Sequence, residues 1–458
     1  MTTHETAHTT DARDIVFRGL DSARGPSTWG QRQIWASYLD NRGNPARFVL
    51  VRAWPVPGGT GIPDVLSALG GLVERHTALR TRLLAGDNAP RQVVDGDGVV
   101  PCRVTESRAL WTRTAAVEAA RWSGADGFLP DAEPPVRFEV LTCGAVPQWV
   151  TMAVSHMVAD ADSCAVLERD FQSLLRERPL TPGVCQPLDR ARFEQSDVGR
   201  AQHRRAVAYW EKTLDDHPDP LFPSRDLPYL GPRYPVVQAT VHGLGDHVER
   251  ISRGLRLSAS AVCVAAFSLA FSACAETDRH TLGVTFSNRV QPWSHGYVGT
   301  LAQHGVIGVS GSDSRLDRAA RHIWTSLLHG HRYACYETSD VLALIGRRYG
   351  QENSDWFGPV ANFVNFQYLP TDDKPLPHPG SGTTRPGPAG TRDRAADHRP
   401  VFAEQPPQQD SAVRFGLHIG SDRTDLSVRM SFDQTCIPLD RVHEIVERAA
   451  STLWSSGA

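Results

Sequence analysis

Residues 149–163, WVTMAVSHMVADADS, contain the local pattern from which the fold is inferred. The first six residues are uncharged and include β-branched and aromatic side chains, which favour a buried strand. Ser155 and His156 interrupt this apolar run, and Asp160 and Asp162 follow within a few residues. Short polar residues of this kind favour the start of a helix. The stretch therefore predicts a strand, a loop that presents His156, and a helix.

Further helices and strands are predicted on both sides of this stretch, because apolar residues recur at helical or strand spacing. Residues 27–39 predict a helix behind an N-cap, and a second helix starts at Pro63, which is a favoured first position. Residues 136–140 predict a strand directly before the one that leads to His156. The helix after the His156 loop is predicted to be capped by Asp162 or Ser163.

The length of 458 residues suggests two domains or lobes of about 200 residues each. Residues 1–20 are predicted to be disordered, residues 21–185 form an N-terminal lobe, and a polar, proline-bearing stretch at 183–200 is the predicted boundary. Residues 200–458 predict a C-terminal lobe. Within it, residues 371–410 are so rich in proline, glycine and charge that a mobile loop is expected. Helices and strands alternate irregularly in both lobes, which predicts an α/β or α+β fold.

The composition argues against several classes of function. The 48 Lys and Arg residues nearly balance the 51 Asp and Glu residues, so the composition does not support nucleic-acid binding. The N-terminus lacks the basic and apolar regions of a secretory signal, which predicts a cytoplasmic protein. Residues 257–275 carry no charge, but their serines and alanines favour a buried helix over a membrane span.

Motifs of the commoner enzyme classes are missing from the sequence. It contains no Gly-x-Ser-x-Gly elbow, no Walker loop and no Gly-x-Gly-x-x-Gly after a strand. The eight cysteines are widely spaced, and the two histidines of His329-Gly330-His331 lack a third ligand nearby. The sequence therefore predicts no metal and no bound cofactor. His156 and Asp160 remain as candidates, although a structural pair is an alternative interpretation of them.

Eight segments of the chain together carry a more specific signal. They occur in this order: STWGQRQIWASY, RHTALRTRL, PPVRFEVL, VSHMVADADS, YWEKTL, LGVTFSNR, YVGTL and FVNFQYLP. In order and approximate spacing they resemble the segments of nonribosomal peptide synthetase condensation domains, which belong to the chloramphenicol-acetyltransferase-like superfamily. The resemblance covers residues 20–455. Several weak matches in one order are more specific than any single match.

The central motif of that family is His-His-x-x-x-Asp-Gly, and Ser155, His156, Asp160 and Ala161 stand at its four named positions. The resemblance implies that His156 is the catalytic histidine and that Ser155 supports the loop. It also implies that Asp160 is a structural acid held by Arg289, an arginine expected from the second lobe. Ala161 departs from the motif, because glycine at this position would favour a special backbone angle or a close approach of substrate.

The resemblance also implies an architecture and a reaction. It predicts two chloramphenicol-acetyltransferase-like lobes in a V around a central tunnel, with His156 at the middle. Asn365 matches a segment that lines the cleft between the lobes, although an amide that ties neighbouring strands together is an equal alternative. A donor acyl thioester on the 4'-phosphopantetheine arm of a peptidyl or acyl carrier protein would meet a small amine or alcohol acceptor. The product would be an amide or an ester.

The role of His156 in this reaction has two alternatives. It accepts the acceptor's proton, or it fixes the acceptor and the charge of the tetrahedral intermediate. General-base help contributes about 10²- to 10⁴-fold, whereas alignment of two bound reactants can contribute more. The chain is interpreted as a free-standing condensation enzyme whose carrier protein acts in trans.

Two other classes of function stay open at this stage. A catalytically inactive condensation-like docking module would explain the serine and alanine at positions 155 and 161. An acyltransferase that uses acyl-CoA in place of a carrier protein is the second alternative. The sequence identifies neither the donor nor the acceptor.

Overall fold

The computed structural model describes residues 9–40, 43–87, 89–217, 221–222, 227–311, 315–349, 362–368, 399–407, 415–421 and 424–456. The chain divides into two compact units. The first unit consists of Met1–Gln202 and Ser287–Gln303, and the second of His203–Phe286 and His304–Ala458. Residues 287–303 thus pack with the first unit, although the sequence predicted them in the second lobe.

The first unit contains helices and strands in a mixed order. Its strands are β1 Thr9–Ala12, β2 Ile15–Phe17, β3 Ala23–Pro26, β4 Val49–Pro55, β5 Thr81–Leu84, β6 Arg91–Val94, β7 Gly98–Val100, β8 Cys102–Ser107, β9 Val136–Cys143 and β10 Val146–Ser155. Its helices are α1 Trp29–Asp40, α2 Ile62–Arg75, α3 Arg113–Gly124, α4 Ala161–Leu175 and α5 Pro187–Glu194. The helix α6, Asp197–Asp216, begins in the first unit and continues into the second. The predicted boundary at 183–200 is therefore largely helical.

The main sheet of the first unit has the order β1-β8-β9-β10-β4. The strand β10 lies inside it and pairs antiparallel with both β4 and β9. Val150, Met152 and Val154 are fully buried and belong to the core of this unit. Helices α2 and α4 contribute to the same core. An apolar run without alternating polar residues is typical of such an internal strand.

Residues 9–20, predicted to be disordered, contain two strands instead. The strand β1 pairs antiparallel with β8, and Thr10 Oγ1 lies 3.1 Å from Thr105 Oγ1. The strand β2 pairs antiparallel with β7, and Ile15 and Phe17 are buried. The prediction was wrong for these residues because their partners lie between 81 (Phe17 to Gly98) and 97 (Thr9 to Glu106) positions away in the chain. A polar segment can be ordered by backbone pairing with a remote strand, which local composition does not reveal.

The second unit is built around one large sheet. Its strands are β11 Val236–Val241, β12 Arg279–Phe286, β13 Gln303–Ser310, β14 Asn362–Tyr368, β15 Val401–Gln405, β16 Phe415–Ser421 and β17 Leu426–Phe432, in the order β13-β12-β14-β16-β17-β11-β15. Its helices are α7 Leu244–Leu255, α8 Ala259–Ala275, α9 Leu316–Arg332, α10 Thr338–Tyr349 and α11 Leu439–Ser455. Most of these elements contribute to one apolar core.

Most of the uncharged stretch at 257–275 forms α8, whose residues 261–268 are all buried and whose residues 262–267 belong to that core. The prediction of a buried helix agrees with this placement. Among the described residues, no single helix is long and apolar enough to cross a membrane. The helices α7 and α8 reach that length only together, and they meet at an angle of 105°.

The loop predicted at 371–410 falls mostly outside the described residues. Within its described portion, however, Val401–Gln405 forms β15, which pairs antiparallel with β11 at the edge of the large sheet. The loop prediction was therefore wrong for these five residues. Their partner strand lies more than 160 positions earlier in the chain, and only the folded sheet brings the two together.

Candidate active site

His156 occupies a tight turn between β10 and α4. The strand β10 ends at Ser155, and the N–H of Val158 donates to the Ser155 carbonyl at 3.1 Å, which closes the turn. The backbone N–H of His156 donates to the carbonyl of Phe48 at 2.7 Å. The predicted arrangement of strand, loop and helix is thus present, and the side chain of His156 is partly exposed.

The hydrogen bond of the His156 imidazole determines its tautomer. Nδ1 lies 2.8 Å from the carbonyl oxygen of Ala159. Because a carbonyl only accepts, Nδ1 carries the hydrogen of the neutral ring and Nε2 carries a lone pair. Among the residues that the structure describes, none forms a hydrogen bond with Nε2. The ring therefore presents a nitrogen that can accept a proton.

Ser155 supports the turn locally. Its hydroxyl oxygen accepts the N–H of Met157 at 3.3 Å, and its own N–H donates to the carbonyl of Pro135 at 2.8 Å. The residue is 4% exposed. A serine hydroxyl that accepts a backbone N–H two residues later stabilises a turn. Ser155 thus holds the backbone directly before His156.

Asp160 is a buried carboxylate that accepts five hydrogen bonds. Its Oδ1 accepts the N–H and the hydroxyl of Ser163, both at 2.8 Å, and Nη2 of Arg289 at 2.7 Å. Its Oδ2 accepts the backbone N–H groups of Leu301 at 2.9 Å and Ala302 at 3.2 Å. The bond from the Ser163 N–H makes Asp160 the N-cap of α4. The predicted cap at Asp162 or Ser163 was therefore wrong by two or three residues.

These donors keep Asp160 ionised inside the protein. Burial alone would raise the pKa of this carboxyl group, because a charged group loses its hydration. The positive charge of Arg289 and the donors from Leu301 and Ser163 outweigh burial, so the pKa of Asp160 lies below the ordinary value of 3.8. At neutral pH the site therefore contains an ion pair between Asp160 and Arg289.

Arg289 ties residues 287–303 to the start of α4. Its Nη2 donates to Asp160 and lies 2.9 Å from the Ser163 hydroxyl and 3.2 Å from the Gly299 carbonyl. Its Nη1 donates to the carbonyl oxygens of Ser294 at 3.0 Å and Tyr297 at 2.8 Å. The predicted pair of Asp160 and Arg289 is thus in contact. Both residues belong to the first unit.

A second acid lies beside this pair. Nε of Arg289 is 3.5 Å from Oδ2 of Asp162, yet this nitrogen forms no hydrogen bond within the described structure. The contact is therefore an ion pair without an aligned donor. The side chain of Asp162 is 51% exposed. Partial burial and the neighbouring charge of Asp160 raise its pKa, and the charge of Arg289 opposes them.

The sequence analysis did not assign Ser163 or Thr300 to the hydrogen-bond network around Asp160 and His156. The Ser163 hydroxyl bonds both Asp160 and the backbone of Gly299, while the Thr300 hydroxyl donates to the His156 carbonyl at 2.7 Å. The spacing of Asp160 and Ser163 is a helix-start signal that could have indicated part of this network. Thr300 lies in the segment YVGTL, but its contact with His156 could not be read locally, because the two residues are 144 positions apart.

Ala161 does not require the backbone freedom of glycine. It is the first residue of α4, so its backbone angles are helical and ordinary for an L-residue. Its side chain is exposed. The departure from the motif at this position therefore causes no backbone strain.

Asn365 lies in β14 of the second unit. Its backbone pairs in parallel register with His418 of β16. Its side chain lies outside the described atoms, so its predicted role at a substrate cleft stays a prediction.

Besides His156 and Asp160, His331 and the cysteines are residue types that could carry chemistry or bind a metal. His331 stacks on Phe286 with ring centroids 5.4 Å apart. The cysteines are free thiols, and burial raises the pKa of Cys263 to about 12 and of Cys164 to about 11. Within the described ranges, no three His, Cys, Asp or Glu side chains form a group that could hold a metal ion.

Comparison with known sequences shows similarity to segments of peptide synthetases. A family model described as "Condensation domain" matches residues 52–378. Cyclosporin synthetase simA of Tolypocladium inflatum is 25% identical over 292 residues, which are 61% of this chain and 2% of that protein. Phosphinothricin tripeptide synthetase PhsC of Streptomyces viridochromogenes is 27% identical over 237 residues, which are 49% of this chain and 21% of that protein. The chain thus corresponds to a small portion of these relatives.

Solved structures share the fold over nearly the whole chain. A structure that concerns condensation domain-mediated chain release from the enacyloxin polyketide synthase has a TM-score of 0.72 at 15% identity, and the match covers 96% of this chain and 84% of that one. SgcC5 from Streptomyces globisporus has a TM-score of 0.66 at 15% identity, with 94% and 98% covered. The X-domain from teicoplanin biosynthesis has a TM-score of 0.65 at 15% identity, with 96% and 98% covered. At these identities the likeness shows the fold, which confirms the predicted mixed α/β class.

Proposed function

Because this chain belongs to the condensation domain family, as its motifs predicted, we propose that it is an active acyltransferase of the condensation type. It joins an acyl or aminoacyl thioester, held on a carrier protein, to an amine or an alcohol. The product is an amide or an ester of the kind made in nonribosomal peptide synthesis. Amide formation is consistent with the family, and the substrates named here are our proposal.

The observation that carries this proposal is the state of His156. The hydrogen bond from Nδ1 to the Ala159 carbonyl leaves the lone pair of Nε2 available on a partly exposed ring. A structural histidine usually has both nitrogens engaged in the protein. A general base needs an accessible lone pair and a fixed orientation, and His156 has both.

The reaction then follows from the chemistry of a thioester. The acceptor nitrogen or oxygen attacks the carbonyl carbon, and a new C–N or C–O bond forms. Nε2 of His156 takes the proton that the acceptor loses. The C–S bond breaks, and the proton returns to the sulfur of the phosphopantetheine thiol. His156 contributes about 10²- to 10⁴-fold as a base, and the remaining acceleration comes from alignment of two bound reactants.

Asp160, Arg289 and Ser163 support His156 without reaching the substrate. Asp160 is 1% exposed and accepts donors from both α4 and residues 287–303. An ionised carboxylate that is fully occupied by donors has no role in proton transfer at neutral pH. We propose that these residues fix the two ends of the His156 turn, and that Ser155 fixes its start.

The partners follow from the same proposal. The donor arrives on the 4'-phosphopantetheine arm of a peptidyl or acyl carrier protein in trans, and the acceptor is a small molecule. The protein itself holds no cofactor and acts in the cytoplasm. These statements rest on the family and on the predictions from the sequence.

A docking module without catalytic activity is the second candidate, and a specific observation favours it. Ser155 replaces the first histidine of the motif, and Ala161 replaces its glycine. The X-domain of teicoplanin biosynthesis has the same fold, and a complex of that domain with OxyB has been solved. A chain of this fold can therefore act as a binding partner of another enzyme.

The test uses the intact chain, carrier proteins loaded with acyl or aminoacyl groups, and a panel of amines and alcohols. Mass spectrometry follows the loss of the acyl group from the carrier and the formation of product. We expect His156→Ala to lower kcat by about 100-fold or more. Its melting temperature should stay close to that of the parent, because the ring is partly exposed and its hydrogen bond is local. His329→Ala is the matched control, since His329 is exposed on α9.

Three outcomes would contradict the proposal. Equal product formation by the parent and His156→Ala would exclude His156 as the base. Faster transfer from acyl-CoA than from every carrier protein would show that CoA, and not a carrier protein, holds the donor acyl group. An inactive parent that forms a stable complex with a biosynthetic enzyme would support the docking module.

A further inference from the structure

Thr300 is a buried side chain that contacts the His156 turn directly, and although it lies within the segment YVGTL, the sequence assigned it no role. It is 1% exposed and lies in residues 287–303, which pack with the first unit. Its hydroxyl donates to the carbonyl of His156 at 2.7 Å. The same hydroxyl lies 3.4 Å from the carbonyl of Ala159. One side chain thus lies against both carbonyl groups that bracket the catalytic turn.

The carbonyl of Ala159 is also the acceptor for the His156 imidazole. Nδ1 of His156 donates to it at 2.8 Å, so the distance between residues 156 and 159 controls this hydrogen bond. A hydroxyl has one hydrogen, and the shorter and stronger contact is the one to the His156 carbonyl. Thr300 therefore fixes the backbone of His156 relative to the acceptor of its own ring.

The backbone of Thr300 is fixed on both sides. The N–H of Gly299 donates to the Ser163 hydroxyl at 3.1 Å, and the Gly299 carbonyl lies 2.9 Å from the same hydroxyl. Leu301 donates to Asp160 at 2.9 Å. A Cβ atom built on Gly30 of α1 would lie 2.1 Å from the Thr300 carbonyl oxygen, so the backbone of α1 is in close contact with the backbone of Thr300. The hydroxyl of Thr300 is consequently held in place by its surroundings.

We infer that Thr300 is a positioning residue that holds His156 in the Nδ1–H tautomer and keeps Nε2 available as the proton acceptor. It touches neither substrate nor reacting atoms, and it acts through the turn that carries the ring. The catalytic consequence rests on the proposed function of His156, whereas the tautomer is a property of the protein alone.

The matched variants are Thr300→Val and Thr300→Ser. Valine has nearly the shape of threonine but no donor, so it leaves the His156 carbonyl without its partner. Serine keeps the donor and removes a methyl group. The first readout is the nitrogen NMR spectrum of protein labelled with 15N-histidine, in which protonated and unprotonated ring nitrogens have distinct shifts. The His156 signals are assigned by comparison with His156→Gln.

We expect the parent and Thr300→Ser to show an Nδ1–H ring for His156, and Thr300→Val to show a mixture of tautomers. In the transfer assay, Thr300→Val should lose about 10- to 100-fold in kcat with little change in KM, as is typical of a misplaced catalytic group. Thr300→Ser should retain activity close to that of the parent. The pH dependence of kcat should change in the valine variant only.

The NMR readout separates this inference from the proposed function. If the tautomer changes in Thr300→Val while the parent has no transfer activity, the positioning role stands and the catalytic proposal fails. If Thr300→Val melts earlier but His156 keeps the Nδ1–H tautomer, Thr300 is only structural and the inference is overturned. A parent protein whose His156 carries its proton on Nε2 would overturn it as well.

Discussion

Replacing Asp160 by alanine would remove the one acceptor that α4, Arg289 and the backbone at residues 301 and 302 share. The carboxylate is 1% exposed, and the Arg289 side chain is 8% exposed. After the substitution, the guanidinium group would keep its carbonyl partners but lose its negative partner. The two backbone N–H groups of Leu301 and Ala302 would lose the acceptor that they now share.

The expected cost follows from these losses. Breaking a buried ion pair by removing one partner typically costs about 3 to 5 kcal/mol. Each unsatisfied buried N–H group costs about 1 to 3 kcal/mol by itself, but neighbouring losses overlap and do not add. We therefore expect the free energy of unfolding of the first unit to fall by about 3 to 5 kcal/mol. For a unit of this size, each kcal/mol shifts the melting temperature by about 2 to 4 °C.

The assay compares thermal melts of the parent, Asp160→Ala and Asp162→Ala. Asp162 is the matched control, because it lies two residues away and contacts the same arginine at 3.5 Å, yet its side chain is 51% exposed. Solvent screens such a contact, so its loss should cost less than about 1 kcal/mol. In the double variant Asp160→Ala/Arg289→Met, the total loss should be smaller than the sum of the two single losses, since no unpaired cation remains.

The pH dependence has a defined sign. The pKa of Asp160 is lower in the folded protein than its ordinary value of 3.8. A group of this kind contributes stability above its unfolded pKa, and this contribution is lost as the pH falls through the folded pKa. The difference between the parent and Asp160→Ala should therefore be largest at neutral pH and shrink below about pH 4. An Asp160→Ala variant that melts like Asp162→Ala at neutral pH would refute the reasoning.

Two further predictions concern packing and burial. Gly30→Ala should destabilise the first unit and lower any transfer activity, because its Cβ would lie 2.1 Å from the Thr300 carbonyl oxygen. Gly70→Ala is the control, since its Cβ would meet only Ile15 at 3.9 Å. Equal melting temperatures of the two variants would contradict this prediction. Burial lowers the pKa of His280 from 6.5 to about 3, so the folded state binds this proton more weakly than the unfolded state. The free energy of unfolding should therefore fall as the pH drops below about 6.5. His280→Leu should show a shallower loss of stability between about pH 6 and pH 4 in urea titrations, and an unchanged slope would exclude His280 as a source of acid sensitivity.

The elements around His156 could be predicted from the amino-acid sequence. The apolar run before Ser155 has no polar alternation, and this pattern predicts an internal strand, as β10 is. The acids after His156 favour a helix start, and α4 begins at Ala161. These features are visible in the sequence because they depend on residues within one turn or one strand. The family could be inferred for a related reason, since the order of short motifs is a property of the chain alone.

The surroundings of these elements depend on contacts between segments that are distant in the chain. Residues 287–303 pack with the first unit, and Arg289, Thr300 and Leu301 reach the His156 turn across more than 120 positions of sequence. Strands β1 and β15 form because remote strands offer them backbone partners, although β1 is polar and β15 lies in a stretch rich in proline, glycine and charge. Hydrogen bonds between distant segments depend on where the backbone passes after folding, and no local pattern records this. The charge of Asp160 is set by such contacts, and the tautomer of His156 is set by the position of the Ala159 carbonyl in the folded turn, so both could be derived only from the folded protein.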